Sequence, residues 1–269
     1  MKKVAILLLA ILTFSCSDDD EKGTEEDKGQ WAMIFNETVK NDSNPVDRIE
    51  EFMFDGERLI QHIIKQRYFE EEISNEVNLS YSDNQVTVTT DYLTLVYTLN
   101  SEGYASQCVY SLSSQNRIYQ FSYSAEGYLT GIVENIDNRE YSSTSLTYEN
   151  GDITSISSKM NGLENKFIYE PGEESSTYHL PCLGLLEIHP LTFHIEALYA
   201  GLLGKDPRHF TIRSCPAGSN DEKTIYSYEF DKKGNPSRMI CQTTYAGGQA
   251  NYYPYTRNIS AVSYTHLRA

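Results

Sequence analysis

Residues Leu95–Ile156 read LVYTLNSEGYASQCVYSLSSQNRIYQFSYSAEGYLTGIVENIDNREYSSTSLTYENGDITSI. Within them Gly103, Gly127 and Gly151 recur at a constant interval of 24 residues. Two positions after each Gly stands Ala105, Leu129 or Ile153, and five after it Cys108, Ile132 or Ile156. Before each lies an apolar-x-aromatic pair: Leu95 and Tyr97, Phe121 and Tyr123, Leu146 and Tyr148. A fixed period with turn residues in fixed places marks repeated supersecondary units. Glycine tolerates the positive φ that tight turns demand, with Asn and Asp next best. A second turn series falls near Ser114–Asn116, Asp137–Arg139 and Asn161-Gly162. Two alternating turn series leave strands of roughly 7–9 residues. Residues i and i+2 share one face of a strand but not one stripe of a helix. Each unit is therefore one β-hairpin.

The pair recurs beyond the clean region, as Phe52-x-Phe54, Leu79-x-Tyr81, Phe167-x-Tyr169 and Tyr228-x-Phe230, each followed by turn residues. The fold class expected is all-β: a curved antiparallel β-meander of repeated hairpins over residues 31–261. Trp31–Val39 reads as its first strand. Ile49–Phe54 and Leu59–Phe69 form a hairpin about Asp55-Gly56, and acidic Glu70–Glu76 reads as a loop. The repeat breaks between Pro171 and Cys215. There Ile188, Leu191, Ile195, Leu198 and Leu202 follow three- and four-residue steps, which predicts an amphipathic helix. Pro190 suits its first turn and Gly204 its end. The expectation is a short helical insert at about 181–204, covering one face of the sheet.

Met1–Ser15 has the form of an export signal, with Lys2 and Lys3 before an apolar run, Val4–Leu12, too short for a stable span. Cys16 follows, as in a bacterial lipoprotein signal, so Cys16 is expected to carry the lipid that joins the chain to a membrane. Residues 17–30 hold seven acids, two Lys and no large apolar side chain, which makes residues 16–30 a flexible acidic tether. Asp18–Asp20 lack the Gly that would fold them round a calcium ion. At the other end VSYTHLRA, residues 262–269, looks like a translated adapter sequence, so no weight rests on His266.

The phrase Phe230-Asp231-Lys232-Lys233-Gly234-Asn235-Pro236 resembles the Tyr-Asp repeats of bacterial surface proteins. The lipoprotein signal, acidic tether, Gly-turn strand pairs and the Ala200-Gly201-Leu202-Leu203-Gly204-Lys205 helix end together resemble a group of uncharacterised Bacteroidetes lipoproteins. Their shared domain has no assigned function and is described as porin-like in fold. The resemblance covers residues 31–260, implies a lipid-anchored outer-membrane address, and carries over no catalytic residues. The acidic run after Cys16 resembles that group's surface-export signal and implies that the domain faces the cell exterior.

Composition narrows the partners. A formal charge of −16 opposes nucleic acid and anionic membrane surfaces. Twenty-one Tyr suit half-buried strands, and also a surface on which sugars or peptides stack. Of the remaining cysteines, Cys108 falls in the buried row, and Cys182 with Cys215 would close the insert at its base as a disulfide. His179, Cys182, His189 and His194 cluster in sequence, at spacings that match no familiar zinc pattern, and no metal or other cofactor is expected. Neither a Gly-x-Ser-x-Gly elbow nor a phosphate-cradling Gly loop is present. The function expected is non-catalytic binding or scaffolding of a glycan or protein ligand at the outer membrane. Two readings compete with it: a cell-surface glycan-processing enzyme with paired carboxylates, and a porin-like transmembrane barrel with an apolar outer band.

Overall fold

A computed structural model describes residues 30–39, 46–68, 71–112, 115–175, 180–186, 188–219, 221–245, 247 and 255–263. The export signal, Cys16, nearly all of the tether, His179 and the tail beyond Ser263 lie outside the described residues. Among the described residues there are sixteen strands: β1 (Gln30–Val39), β2 (Val46–Asp55), β3 (Arg58–Tyr68), β4 (Glu71–Ser82), β5 (Gln85–Thr89), β6 (Thr94–Leu99), β7 (Ala105–Leu112), β8 (Gln115–Tyr123), β9 (Leu129–Ile136), β10 (Arg139–Glu149), β11 (Asp152–Met160), β12 (Leu163–Ser175), β13 (His209–Pro216), β14 (Lys223–Phe230), β15 (Pro236–Thr244) and β16 (Tyr255–Ser263). Each pairs antiparallel with the next, and β16 returns to β1, from Trp31 opposite Ser263 to Thr38 opposite Thr256, so the meander closes into a barrel.

The glycines sit where the chain doubles back: Gly103, Gly127 and Gly151 all have φ between 84° and 91°. Asp137-Asn138 and Asn161-Gly162 turn the opposite ends with positive φ at both residues, the geometry that matches the twist of a tight hairpin. Every apolar-x-aromatic pair points inward: Phe52, Phe54, Leu79, Leu95, Tyr97, Phe121, Leu146 and Tyr169 are buried, and their companions are half-buried against the same core. Phe121 stands opposite Ile132 and Leu146 opposite Ile156. In the first unit Tyr97 faces Cys108, so there the pair lies two residues further from its turn.

Two expectations change. Glu71–Glu76 is no loop but the first half of β4, laddered to β3 from Tyr68 opposite Glu71 to Ile63 opposite Glu76. Its side chains are exposed on both faces, because the strand runs beyond the core and only its backbone is paired. The insert exists, but it contains one five-residue helix, α1 (Ile195–Tyr199), and two 3₁₀ turns at Cys182–Leu185 and Leu191–Phe193. As expected it covers one face of the sheet, the inner one, and so plugs the barrel core. Leu180, Leu183, Leu186, Leu191, His194, Ala197, Leu198, Tyr199, Leu202 and Leu203 are all buried. A segment packed inside a barrel over most of its length, though Thr192 and Phe193 reach solvent, has little need of a one-sided stripe, and irregular backbone can serve it.

The disulfide is not formed. The Cys182 thiol donates to the His209 carbonyl at 3.5 Å, at the start of β13. Cys215 lies six residues along that strand, roughly 20 Å away at strand rise, opposite the exposed Ile168 on the outer side. Bridged Cα atoms must approach within about 7 Å.

Gly204 ends the insert with φ 86°, and a Cβ there would lie 2.6 Å from the Gly127 carbonyl oxygen and 3.1 Å from the Tyr123 ring. Gly204→Ala is expected to destabilise the protein by about 2 kcal/mol, the sum of the left-handed backbone cost and a clash with main chain that cannot swing aside. Urea denaturation checks it, and Gly201→Ala, in open space, is the control that carries the backbone cost alone.

Candidate functional site

The plug leaves the barrel across the row of glycine turns. Ala105 N–H donates to the Leu202 carbonyl at 2.7 Å, Lys205 N–H to Gly127 at 2.9 Å, and Arg208 N–H to Gly151 at 3.1 Å. The bonded plug residues are three apart, whereas the tips they meet are one hairpin apart. Three extended residues reach about 10 Å, and two strand spacings are also about 10 Å. The exit segment is thus a ruler matched to the 24-residue repeat. It ends at Asp152, which occupies the position that Tyr104 and Tyr128 hold after the other two glycines. The Asp152 carboxylate accepts the His209 N–H at 2.8 Å and meets His209 Nδ1 at 2.9 Å, so it anchors the start of β13.

Between the second and third tips the barrel opens. The β9–β10 ladder stops at Gly131 opposite Ser145, and the strands separate toward their turns. A groove of about 800 Å³ lies there, lined by Glu126, Tyr128, Tyr148, Asn150, Lys205 and Arg208 among others. Tyr128 stacks on Tyr148 with ring centroids 5.0 Å apart. The volume falls in the range of small-molecule sites. Tyr148 is half-buried, and burial pushes its phenol well up, so it is neutral at physiological pH.

Asp206 lies between Lys205 and Arg208 in sequence. Its side chain is exposed to solvent, yet the protein crowded about its carboxyl penalises the charge and raises its pKa to about 7. An unfolded Asp ionises near pH 4. Between pH 4 and 7 the folded chain keeps a proton that the unfolded chain releases, so stability falls as pH rises through that window. Asp206→Asn should remove this slope and raise stability at pH 8 by about 1 kcal/mol, a figure already reduced for solvent access, while leaving pH 4 unchanged. Thermal melts at the two pH values check it.

Inside the barrel the plug is tied to the wall by buried polar groups. His62 Nδ1 lies 2.8 Å from Glu196 on α1, and its Nε2 is 3.8 Å from Glu50. Burial alone would lower its pKa, but the two carboxylates carry it above the ordinary histidine value. Arg48 pairs with Glu50, and Arg257 Nε donates to Glu37. On the far wall Glu134, fully buried, accepts from Ser142 at 2.6 Å and Tyr119 at 3.2 Å, with His189 Nε2 at 3.0 Å and Arg117 at 3.3 Å. The Ser142, His189 and Glu134 trio is not a nucleophile relay. Ser142 hydrogen-bonds the carboxylate directly, and the same His189 nitrogen faces both partners, whereas a relay uses the two ring nitrogens separately.

The described residues of the His and Cys cluster part company. His189 faces Glu134, and Cys182 faces the His209 carbonyl. His194 is fully buried, 2.8 Å from the Tyr97 hydroxyl, and burial pushes its pKa down to about 3, so it is neutral. His179 lies outside the described residues. Among the described residues no three His, Cys, Asp or Glu side chains gather closely enough to hold a metal ion. The wall carboxylates went unnoticed in the sequence, although a signal exists. Glu37 stands two residues from Phe35, Glu50 two from Phe52 and Glu134 two from Ile132, each therefore in a buried row.

No curated protein matches the sequence. Among solved structures, a porin-like protein from Bacteroides uniformis is 26% identical, with a TM-score of 0.77 over 86% of this chain and 95% of its own. A porin-like protein from Bacteroides vulgatus is 11% identical, with a TM-score of 0.48 over 74% of this chain and 96% of its own. Residues 53–238 match the model of a family described as a domain of unknown function (DUF4595) with porin-like fold, and the chain belongs to that family.

Proposed function

We propose that this protein is a water-exposed β-barrel, tethered to the outer membrane through lipid on Cys16 and facing the cell exterior, that binds a ligand without transforming it. The observation that carries the reading is the orientation of the strands. The positions alternating with the buried rows include Asn78, Ser80 and Ser82 on β4; Gln85, Thr87 and Thr89 on β5; and Ser143, Ser145 and Thr147 on β10, while on β12 Glu164, Lys166 and Glu170 accompany Ile168, so apolar residues such as Ile168, Ile212 and Ile225 are interspersed among polar ones. A barrel embedded in lipid needs an unbroken apolar band on that outer face. This chain has its apolar rows on the inside and fills the space between them with the plug. The porin-like fold is here turned to the opposite use, a packed core rather than a channel.

The tyrosine-lined groove at the glycine turns is the part of such a body left to meet a ligand. The tether, with its seven acids before Gln30, supplies reach.

The test has two arms. Full-length Cys16→Ala should partition into buffer without detergent, and the lipidated protein in liposomes should pass no small solutes. Recovery of the unlipidated chain only in detergent, or solute flux through the liposomes, would replace this reading with a membrane-embedded barrel.

A further inference from the structure

We infer that the hairpin tips bind a neutral polysaccharide laid across them, one disaccharide step per tip; this rests on the binding reading above. At each of two successive tips a tyrosine and a cation meet over the glycine. Over Gly127, the point where a Cβ would stand is 3.3 Å from the Tyr104 ring and 3.5 Å from Lys205 Cε. Over Gly151, it is 2.7 Å from the Tyr128 hydroxyl and 2.9 Å from Arg208 Cδ. Both couples are built by the same device: a tyrosine that follows one glycine and reaches the next, and every third residue of the exit segment. They repeat at two strand spacings, about 10 Å, which is the advance of a disaccharide along an extended glycan.

The chemistry of each couple suits a sugar. A pyranose offers an apolar C–H face and a rim of hydroxyls. Half-exposed Tyr104 and Tyr128 supply aromatic surface with a polar edge. Exposed Lys205 and Arg208 supply donors, and Glu126 and Asn150 supply acceptors in the same groove.

Charge selects the neutral class. Glu126 acts electrostatically on Lys205, and Asn150 accompanies Arg208, so neither tip is a bare cationic patch. The chain as a whole, at −16, repels polyanions. A neutral glycan meets no such barrier and can use donors and acceptors alike.

The experiment is calorimetry on the full chain in detergent, with neutral gluco-, galacto-, manno- and xylo-oligosaccharides of graded length, and with polygalacturonate as the acidic probe. At least one neutral series should tighten about tenfold from disaccharide to tetrasaccharide and then level off, as the second tip is engaged. Its affinity should change little with salt. Tyr128→Ala and Arg208→Gln should each weaken the tetrasaccharide by about tenfold, near the upper worth of one aromatic contact. Tyr128→Phe, which keeps the ring but loses the hydroxyl edge, should weaken the tetrasaccharide by less than Tyr128→Ala does. No binding in any neutral series, binding confined to polygalacturonate and abolished by salt, or indifference to both groove substitutions would each overturn the inference. If any of these occurs while the Cys16→Ala chain remains soluble and the liposomes tight, the ligand class alone falls. A membrane-embedded chain would remove both.

Discussion

Phe52→Ala is expected to cost about 3–5 kcal/mol, the range for deleting a buried aromatic, and to lower the melting temperature by roughly 10 °C for a domain of this size. Phe52 has no exposed surface. Its ring stacks on His62 at 4.0 Å and on Tyr199 of the plug at 3.9 Å, and meets Phe35 edge-on at 5.5 Å. It therefore joins three parts of the interior: the β1–β2 wall, the His62–Glu196 pair and α1. The wall cannot collapse into the vacated space, because β2 is laddered along its length to β1 and β3. The residual cavity would border a buried ion pair, so water entering it would weaken the Glu196 contact as well. Phe52→Leu, which keeps most of the volume, should cost about 1 kcal/mol. Denaturant melts of the two variants check the ratio. A Phe52→Ala loss near that of Phe52→Leu would show that the plug moves to fill the gap.

The rows that make this core were readable from the chain, because a strand's period of two leaves a direct mark. Leu95/Tyr97 and Phe121/Tyr123 point where their spacing says they must, and Gly127 turns where a residue with positive φ is required. Closure was not readable. Trp31 and Ser263 become neighbours only through the summed twist and shear of sixteen strands, and nothing in either residue names its partner. The plug was half-legible. Ile188, Leu191, Ile195, Leu198 and Leu202 do step like a helix, but Ala197 and Tyr199 between them, and Leu186 and Leu203 beside them, are buried too. A stripe widened by buried residues on its flanks ceases to be evidence for a surface helix. Glu71–Glu76 misled for the reverse reason: a strand outside the core carries no apolar row to announce it. The groove was hardest to foresee. Tyr128, Asn150 and Arg208 meet only because a three-residue step in one segment equals a hairpin step in another, a coincidence of lengths that becomes visible once both are in place.

Glu134→Ala should also cost about 3–5 kcal/mol, through electrostatics rather than volume, since removing one member of a buried charged cluster strands the others. The carboxylate is fully buried and receives Ser142 and Tyr119, themselves buried, together with His189 from the plug and Arg117 from β8. Without it both buried hydroxyls lose their carboxylate acceptor, and the Arg117 charge loses the carboxylate beside it. Glu134→Gln keeps one carbonyl acceptor and similar volume, so it should lose about 1–2 kcal/mol, the scale of hydrogen bonds to a charged group. The difference between the two variants measures stranded donors rather than packing. In urea the midpoint should fall with the slope unchanged, because the surface exposed on unfolding is the same. The loss should also be local in the native state. His189 adjoins Pro190 at the entry to the Leu191–Phe193 turn, so amide exchange over residues 191–199 should accelerate more than exchange in β2 or β3. Equal acceleration in both places would mean that wall and plug open as one unit, and that Glu134 stabilises the barrel as a whole instead of holding the plug to one side of it.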